Sequence, residues 1–322
     1  MLGLIIKRTT TALVLLFGLV TIMFLILHLS PGDPVSAMIS PTLPSAVAER
    51  LRLEFGLDQT LPVQYGRWLK NALAGDFGVS FGHQRPVGEV IADVLPNTVI
   101  LATTAILLEI ILGITFGMFA ARHQDSLLDR IVTNAGLAIY TLPAFWIGFL
   151  LLAVFSYQLG IFPSSQMHSI GMESAPPLSR FLDFARHLVL PAVTIAIPGT
   201  AAVARFFRTH LTSVQQEEYV TFARSLGISN KKVFLFYELP NAISPVITVL
   251  GLEIGTLLAG AVVTETMFAW PGMGRLVVVA IFSRDYPLVM GCTLVSGVII
   301  ILGNLLADGL HSIVDPRVRL AR

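Results

Sequence analysis

Few residues of this 322-residue chain have the type and spacing that chemistry requires. Gly78-Val79-Ser80-Phe81-Gly82 matches the G-x-S-x-G pattern of a hydrolase nucleophile elbow. That elbow works only at a strand–turn–helix corner with a histidine base in reach. Nothing before Gly78 reads as a buried strand, so a glycine-rich turn explains the pattern more simply. The seven histidines (28, 83, 123, 168, 187, 210 and 311) are scattered, and no two have the spacing of metal ligands. A P-loop needs Gly-Lys-Ser or Gly-Lys-Thr opening a helix, so that backbone N–H groups and the lysine hold phosphates. The four lysines are Lys7, Lys70, Lys231 and Lys232, and none precedes Ser or Thr. The chain lacks that means of binding ATP. The lone Cys292 leaves no internal disulfide, and its apolar surroundings argue against a thiol metal site.

Three carboxylates, Glu109, Glu253 and Glu265, fall within or near long apolar runs. A charge inside a bilayer is costly and normally faces protein or water rather than lipid. One reading is a translocation pathway for a cationic or polar substrate. The other is a carboxylate near the interface or bonded to a neighbouring helix, and Glu265 fits that description best.

The elements that carry these residues follow from composition. Hydrophobic residues make up 54% and charged residues 13% of the chain, about half the charge of a soluble domain. Residues 9–32, 131–172, 187–204 and 286–307 contain no Asp, Glu, Lys or Arg. Crossing the hydrocarbon core takes about 20 apolar residues. The sequence therefore predicts an all-α, polytopic membrane bundle with six spans near 9–29, 97–121, 131–155, 188–208, 243–268 and 287–309. The first run exceeds a signal-peptide core and leads into Leu29–Pro34 rather than a cleavage site, so it reads as an uncleaved span. Twelve of the 21 basic residues lie on the side of the N-terminus, which the positive-inside rule makes cytoplasmic together with the C-terminus. A net charge of +1 argues against a nucleic-acid binder, which would normally show a concentrated basic patch. The implied organisation is 1–30 N-terminus and first span; 31–95 an extracytoplasmic subdomain; 96–310 a transmembrane core; 311–322 a cytoplasmic tail. The loop at 156–187 reads as irregular. Gly113-x-x-x-Gly117 and Gly251-x-x-x-Gly255, with Ala259 one turn on, permit close helix approach within the chain or against a second subunit.

One segment breaks the apolar pattern. Between Glu217 and Ala242 the chain turns charged and amphipathic. Tyr219, Phe222, Ala223 and Leu226 fall at i, i+3, i+4 and i+7, one face of a helix. Gly227 supplies a left-handed stop, and Ser229 can N-cap a second helix carrying Lys231, Lys232, Val233, Phe234 and Tyr237, ending by Pro240. Such a face needs burial, either on the membrane surface or against another protein.

Glu218-Tyr219-Val220, Ala223-Arg224, Gly227 and Leu239-Pro240-Asn241 resemble the EAA loop of ABC-transporter permease subunits, within the dipeptide, oligopeptide and nickel branch. The resemblance extends through Pro31–Pro34, Phe55–Leu69, Leu95–Asn97, Glu265–Arg275, Arg284–Pro287 and Asp315–Arg319. The chain departs from it at Thr221-Phe222-Ala223, where the family has Glu-Ala-Ala, and at Tyr237, where it has Ile. The resemblance implies a coupling loop over 213–242 that docks on a cytoplasmic ATPase, with Glu218, Tyr219, Phe222, Ala223, Arg224, Gly227, Leu239, Pro240 and Asn241 as its site residues. It also implies a homologous second permease in a heterodimer, two P-loop ATPases that bind ATP and Mg, and an extracytoplasmic binding protein. The chain itself would hold no cofactor, carry no catalytic residue and lie in a bacterial or archaeal plasma membrane. Di- or oligopeptide import is the leading reading, and nickel or metal-chelate import is its rival. A secondary transporter or channel would work without an ATPase. A membrane hydrolase would lose function on Ser80→Ala, a change nearly harmless to a permease.

Overall fold

The computed structural model describes residues 2–29, 58–244, 246 and 261–314. Pro31–Pro34, the amphipathic piece at Ala46–Phe55, Gly251, Glu253, Gly255, Ala259 and Asp315–Arg319 lie outside the described residues, as does most of the fifth expected span. The described chain forms α1 (Leu2–Leu29), α2 (Leu61–Leu73), α3 (Val87–Arg122), α4 (Leu127–Thr141) and α5 (Ala144–Leu151), the last running on as a π-helix to Gln158. Then come α6 (Pro177–Gln215), α7 (Glu218–Ser225), α8 (Asn230–Val233), a π-turn Phe234–Glu238, α9 (Met273–Phe282) and α10 (Tyr286–Val314). Among the described residues, four helices are long and apolar enough to cross a membrane: Arg8–Leu29, Val87–Arg122, Pro177–Gln215 and Tyr286–Leu305.

Three expected boundaries change, each at a proline. Over the third expected span, 131–155, the chain bends by 105° between α4 and α5. Leu142 and Pro143 are both extended there, because a residue before proline is forced out of the helical region. Leu95-Pro96-Asn97 does not open the second span: α3 begins at Val87 and carries Pro96 within it. Its 36 residues reach about 54 Å, longer than the hydrocarbon core is thick. Finally, part of the loop expected at 156–187 is helical, because Pro177 starts α6 at the first helical position, where a proline is pre-organised.

By contact the chain divides into two compact units, residues 1–98 with 271–301 and residues 99–270 with 302–322. In the first unit, Val20, Phe24 and Leu27 of α1 share a core with Val87, Val90 and Ile91 of α3, Met273 and Leu276 of α9, and Leu288 and Val289 of α10. Ser80 lies at the heart of this unit's polar wiring. Its hydroxyl donates to Asp285 at 2.5 Å, and the same carboxyl oxygen accepts Gly82 N–H at 2.9 Å. The other oxygen caps α10 by accepting Leu288 N–H at 3.2 Å. Ser80 and Asp285 are each 1% exposed. Ser80 is thus a structural donor in a tight turn closed by Ser80 N–H to Arg85 O, with Gly78 at φ +84°. Ser80→Ala should lower the midpoint of thermal unfolding in detergent, at a cost of about 1–2 kcal/mol, because Asp285 keeps two N–H donors. Function at moderate temperature should survive; a dead but folded variant would revive the hydrolase reading.

In the second unit α3 and α6 lie nearly backbone to backbone. A Cβ built on Gly117 would stand 2.6 Å from Ala204 O, and one on Gly113 would stand 3.2 Å from Thr200 O. The Gly113/Gly117 pair therefore serves packing within the chain. α4 is tied to α6 by a two-pronged ion pair: Arg208 Nε and Nη2 each donate at 2.6 Å to the Asp129 carboxylate. Asp129 also accepts Asp125 N–H, and Ser126 caps α4.

Candidate functional site

The segment 217–242 folds as a helix–turn–helix on the end of α6. Only Gln216 and Glu217 separate α6 from α7. α7 stops as its glycine predicts. Gly227 has φ +76°, its N–H bonds Arg224 O at 3.0 Å, and Ile228 N–H bonds Ala223 O at 3.4 Å. This is the Schellman arrangement, in which a left-handed glycine lets the chain reverse while satisfying the last carbonyls. Ser229 stands at the N-cap of α8 with extended backbone, but its side chain makes no capping bond.

The two arms pack through Val220, Ala223 and Val233, each 3% exposed or less, with Val214 and Ile228 against them. The expected stripe therefore splits. Ala223 turns inward to this small core, while Tyr219, Phe222 and Leu226 stay 40%, 64% and 63% exposed. Val220, absent from the stripe, completes the inner face. Ser213, Gln216, Glu217, Glu218 and Tyr219 line an open groove of about 630 Å³ at the entry to α7.

The second arm does not end at Pro240. The chain widens into the π-turn Phe234–Glu238 and stays helical through residues 239–244. Pro240 has no N–H for the carbonyl four residues back, and a π-turn is one way a helix absorbs that loss. Leu239 packs with Phe207, Leu211 and Ala242, and Asn241 Nδ2 donates to Tyr237 O at 2.7 Å. Phe234 joins the same cluster and lies 5.0 Å beneath the guanidinium of Arg122, the last residue of α3. This arm is anchored, and α7 is presented.

Glu238 was not legible as a site residue. It is 3% exposed, yet its two carboxyl oxygens hold two elements: Arg224 Nη2 of α7 at 2.7 Å and Gln215 Nε2 of α6 at 3.2 Å. An i, i+14 spacing between Arg224 and Glu238 carries no periodic signal.

Glu109 and Glu265 are both 0% exposed within the second unit, and Glu253 lies outside the described residues. Glu109 rests on Gly199, where any Cβ would meet its carboxylate. Among the described residues no group of three or more His, Cys, Asp or Glu could hold a metal ion. Two histidines that are remote in sequence do converge: His168 and His187 each bring Nδ1 to 3.6 Å from Asp183. Asp183 also accepts Ser169 N–H at 2.9 Å and Ser169 O–H at 2.6 Å, pinning the preceding loop to α6.

Several apolar helices, four of them among the described residues long enough to cross a membrane, define a polytopic membrane protein. Comparison with known proteins agrees with that class. A family model described as the binding-protein-dependent transport system inner membrane component matches residues 113–320. A second, for the N-terminal part of such membrane components, matches residues 1–102. The chain belongs to this family of inner membrane components of binding-protein-dependent transport systems. It is 36% identical to the oligopeptide transport system permease protein AppB of Bacillus subtilis (strain 168), over 98% of both chains. It is 38% identical to the probable D,D-dipeptide transport system permease protein DdpB of Escherichia coli (strain K12), over 94% of this chain and 93% of that one. It is 35% identical to the glutathione transport system permease protein GsiC of the same strain, over 99% of both. A solved amino acid ABC transporter chain overlaps with TM-score 0.47 at 18% identity, covering 71% of this chain and 94% of that chain.

Proposed function

We propose that this chain is the permease subunit of an ATP-driven importer for di- or oligopeptides, forming half of a translocation pathway. Relatives alike over nearly their full length carry oligopeptide, D,D-dipeptide and glutathione permease names, which favours peptide over nickel as cargo. The partners are a homologous second permease, two P-loop ATPases that bind ATP and Mg, and an extracytoplasmic binding protein. Both termini and the 213–242 loop face the cytoplasm, where the ATPases are.

The observation that carries the reading is the exposed Tyr219–Phe222–Leu226 face on an otherwise self-contained helix–turn–helix. Phe222 and Leu226 lie outside its small core and stay exposed, where they can enter a groove on an ATPase. ATP-driven closure of two ATPases would push α7 in each permease, and the membrane helices would alternate between outward- and inward-open arrangements.

Gly227 tests the mechanism cleanly. Nothing lies within 4 Å of a Cβ built there, so a substitution acts only through the backbone. Gly227→Val opposes φ +76° with a β-branched residue, a strain of about 1–3 kcal/mol within the short segment 217–242. In the reconstituted complex the variant should hydrolyse ATP without matching uptake, or fail to hold its ATPases. Normal uptake per ATP would sink this account of the loop.

A further inference from the structure

The geometry points to Glu238 as the positioning residue that makes the coupling loop and α6 one lever. This inference rests on the reading that α7 receives the ATPase stroke. On its N-terminal side α7 is joined to α6 by Gln216 and Glu217, and among the described residues its small apolar core is Val220, Ala223 and Val233 with Val214 and Ile228 against them. A push on Phe222 or Leu226 would be spent bending that link unless something braces it. Glu238 is the brace. One oxygen takes the guanidinium of Arg224, at the far end of α7, and the other takes the amide of Gln215, the last residue of α6.

The brace is specific in its chemistry. A carboxylate has two oxygens that accept independently, and each is committed to a different element. The Arg224 bond is charge-assisted and short, so it resists extension more than a neutral bond does. Arg224 is half-buried and Glu238 is buried, so salt screens the pair less than it would a surface pair. Glu238 also sits on the arm anchored through Phe234 and Leu239 to the Phe207–Leu211 segment of α6. Displacement of α7 would therefore reach α6 at two points, directly at Gln215 and through the anchored arm. Glu238 touches neither cargo nor nucleotide under this reading; it acts through Arg224 and Gln215.

The decisive experiment uses the full transporter in proteoliposomes. It compares wild type with Glu238→Gln, Arg224→Ala and the double variant. Three quantities are read: recovery of the ATPases with the purified permease, the unfolding midpoint, and labelled tri-alanine taken up per ATP hydrolysed. Glu238→Gln should retain the ATPases and most of the stability while uptake per ATP falls about five- to tenfold, about 1 kcal/mol of coupling. Arg224→Ala should lower uptake per ATP to the same extent, and the double variant should lose no more of it than either single change, because both cut one link. Unchanged uptake per ATP in Glu238→Gln overturns the inference and leaves the docking reading intact. So does loss of the ATPases or of the folded chain in both single variants, which would make Glu238 a scaffold residue. If wild type itself brings no P-loop ATPase with it, the docking reading fails first, whatever Glu238 does.

Discussion

Gly117→Val is expected to abolish accumulation of the folded chain in membranes, the largest stability effect this structure predicts. The reason is the neighbour a side chain would meet. A Cβ on Gly117 would stand 2.6 Å from Ala204 O and 3.2 Å from Ala204 Cα, both backbone atoms of α6. Backbone cannot swing aside as a flexible side chain can, so α3 and α6 must separate. Separation would open the cluster of Ala121, Val203, Phe207 and Leu211, all 3% exposed or less. Overpacking by even a methyl or two typically costs about 1–3 kcal/mol, and valine adds three carbons here. In lipid no hydrophobic force pulls the helices back together, because association depends on the close packing that is lost. Gly66→Val is the control, since a Cβ there has nothing within 4 Å. Membrane levels by immunoblot, and unfolding midpoints of whatever protein can be purified, should separate the two variants by a wide margin. Equal levels would mean that α3 and α6 do not meet in this register.

These positions also mark how much the sequence could disclose. Gly113 and Gly117 are legible as a close-approach pair, but not the partner they approach, because a helix pattern carries no address. Gly227 is legible down to its left-handed backbone, since the conformation of one residue type is a local property. Prolines are legible as interruptions but not as the kind of interruption. Pro143 breaks a span by 105°, Pro96 sits inside a continuous helix, and Pro240 is absorbed by a π-turn. The outcome depends on what packs against the freed carbonyl, which is tertiary information. The apolar stripe at 219–226 is right as a helix face yet assigns Ala223 to the wrong half of it. Residues 100° apart on a small helix can face opposite masters, and Val220 and Ala223 face Val233. The polar wiring is least legible of all. Ser80 with Asp285, Asp129 with Arg208 and Glu238 with Arg224 join residues far apart in the chain, and a sequence shows each only as a half.

Phe222→Glu carries the largest expected functional effect. Phe222 is 64% exposed and takes no part in the Val220–Ala223–Val233 core, so a charge there leaves the helix–turn–helix folded. Glutamate is also a better helix former than phenylalanine, which makes α7 slightly more stable in isolation. Docked, the position changes character. An aromatic ring in the middle of an interface is the kind of side chain that dominates binding energy, and its replacement costs about 2–4 kcal/mol. Burying an unpaired carboxylate in the same groove adds to that loss. The ATPases should therefore dissociate, with at least about a hundredfold weaker recovery in pull-downs from detergent-solubilised membranes. Peptide uptake should vanish while the permease remains in the membrane at wild-type levels. Phe181→Glu supplies the contrast: it is equally exposed, at 63%, but lies near the opposite end of α6, so it should leave the ATPases bound. Val220→Glu supplies the other, because that side chain is 0% exposed and its replacement should remove the folded loop itself. A face that docks an ATPase predicts three different outcomes: ATPase lost with chain intact, nothing lost, and loop lost. A face that merely rests on the lipid surface predicts that Phe222→Glu leaves the ATPases in place, and that single result would separate the two.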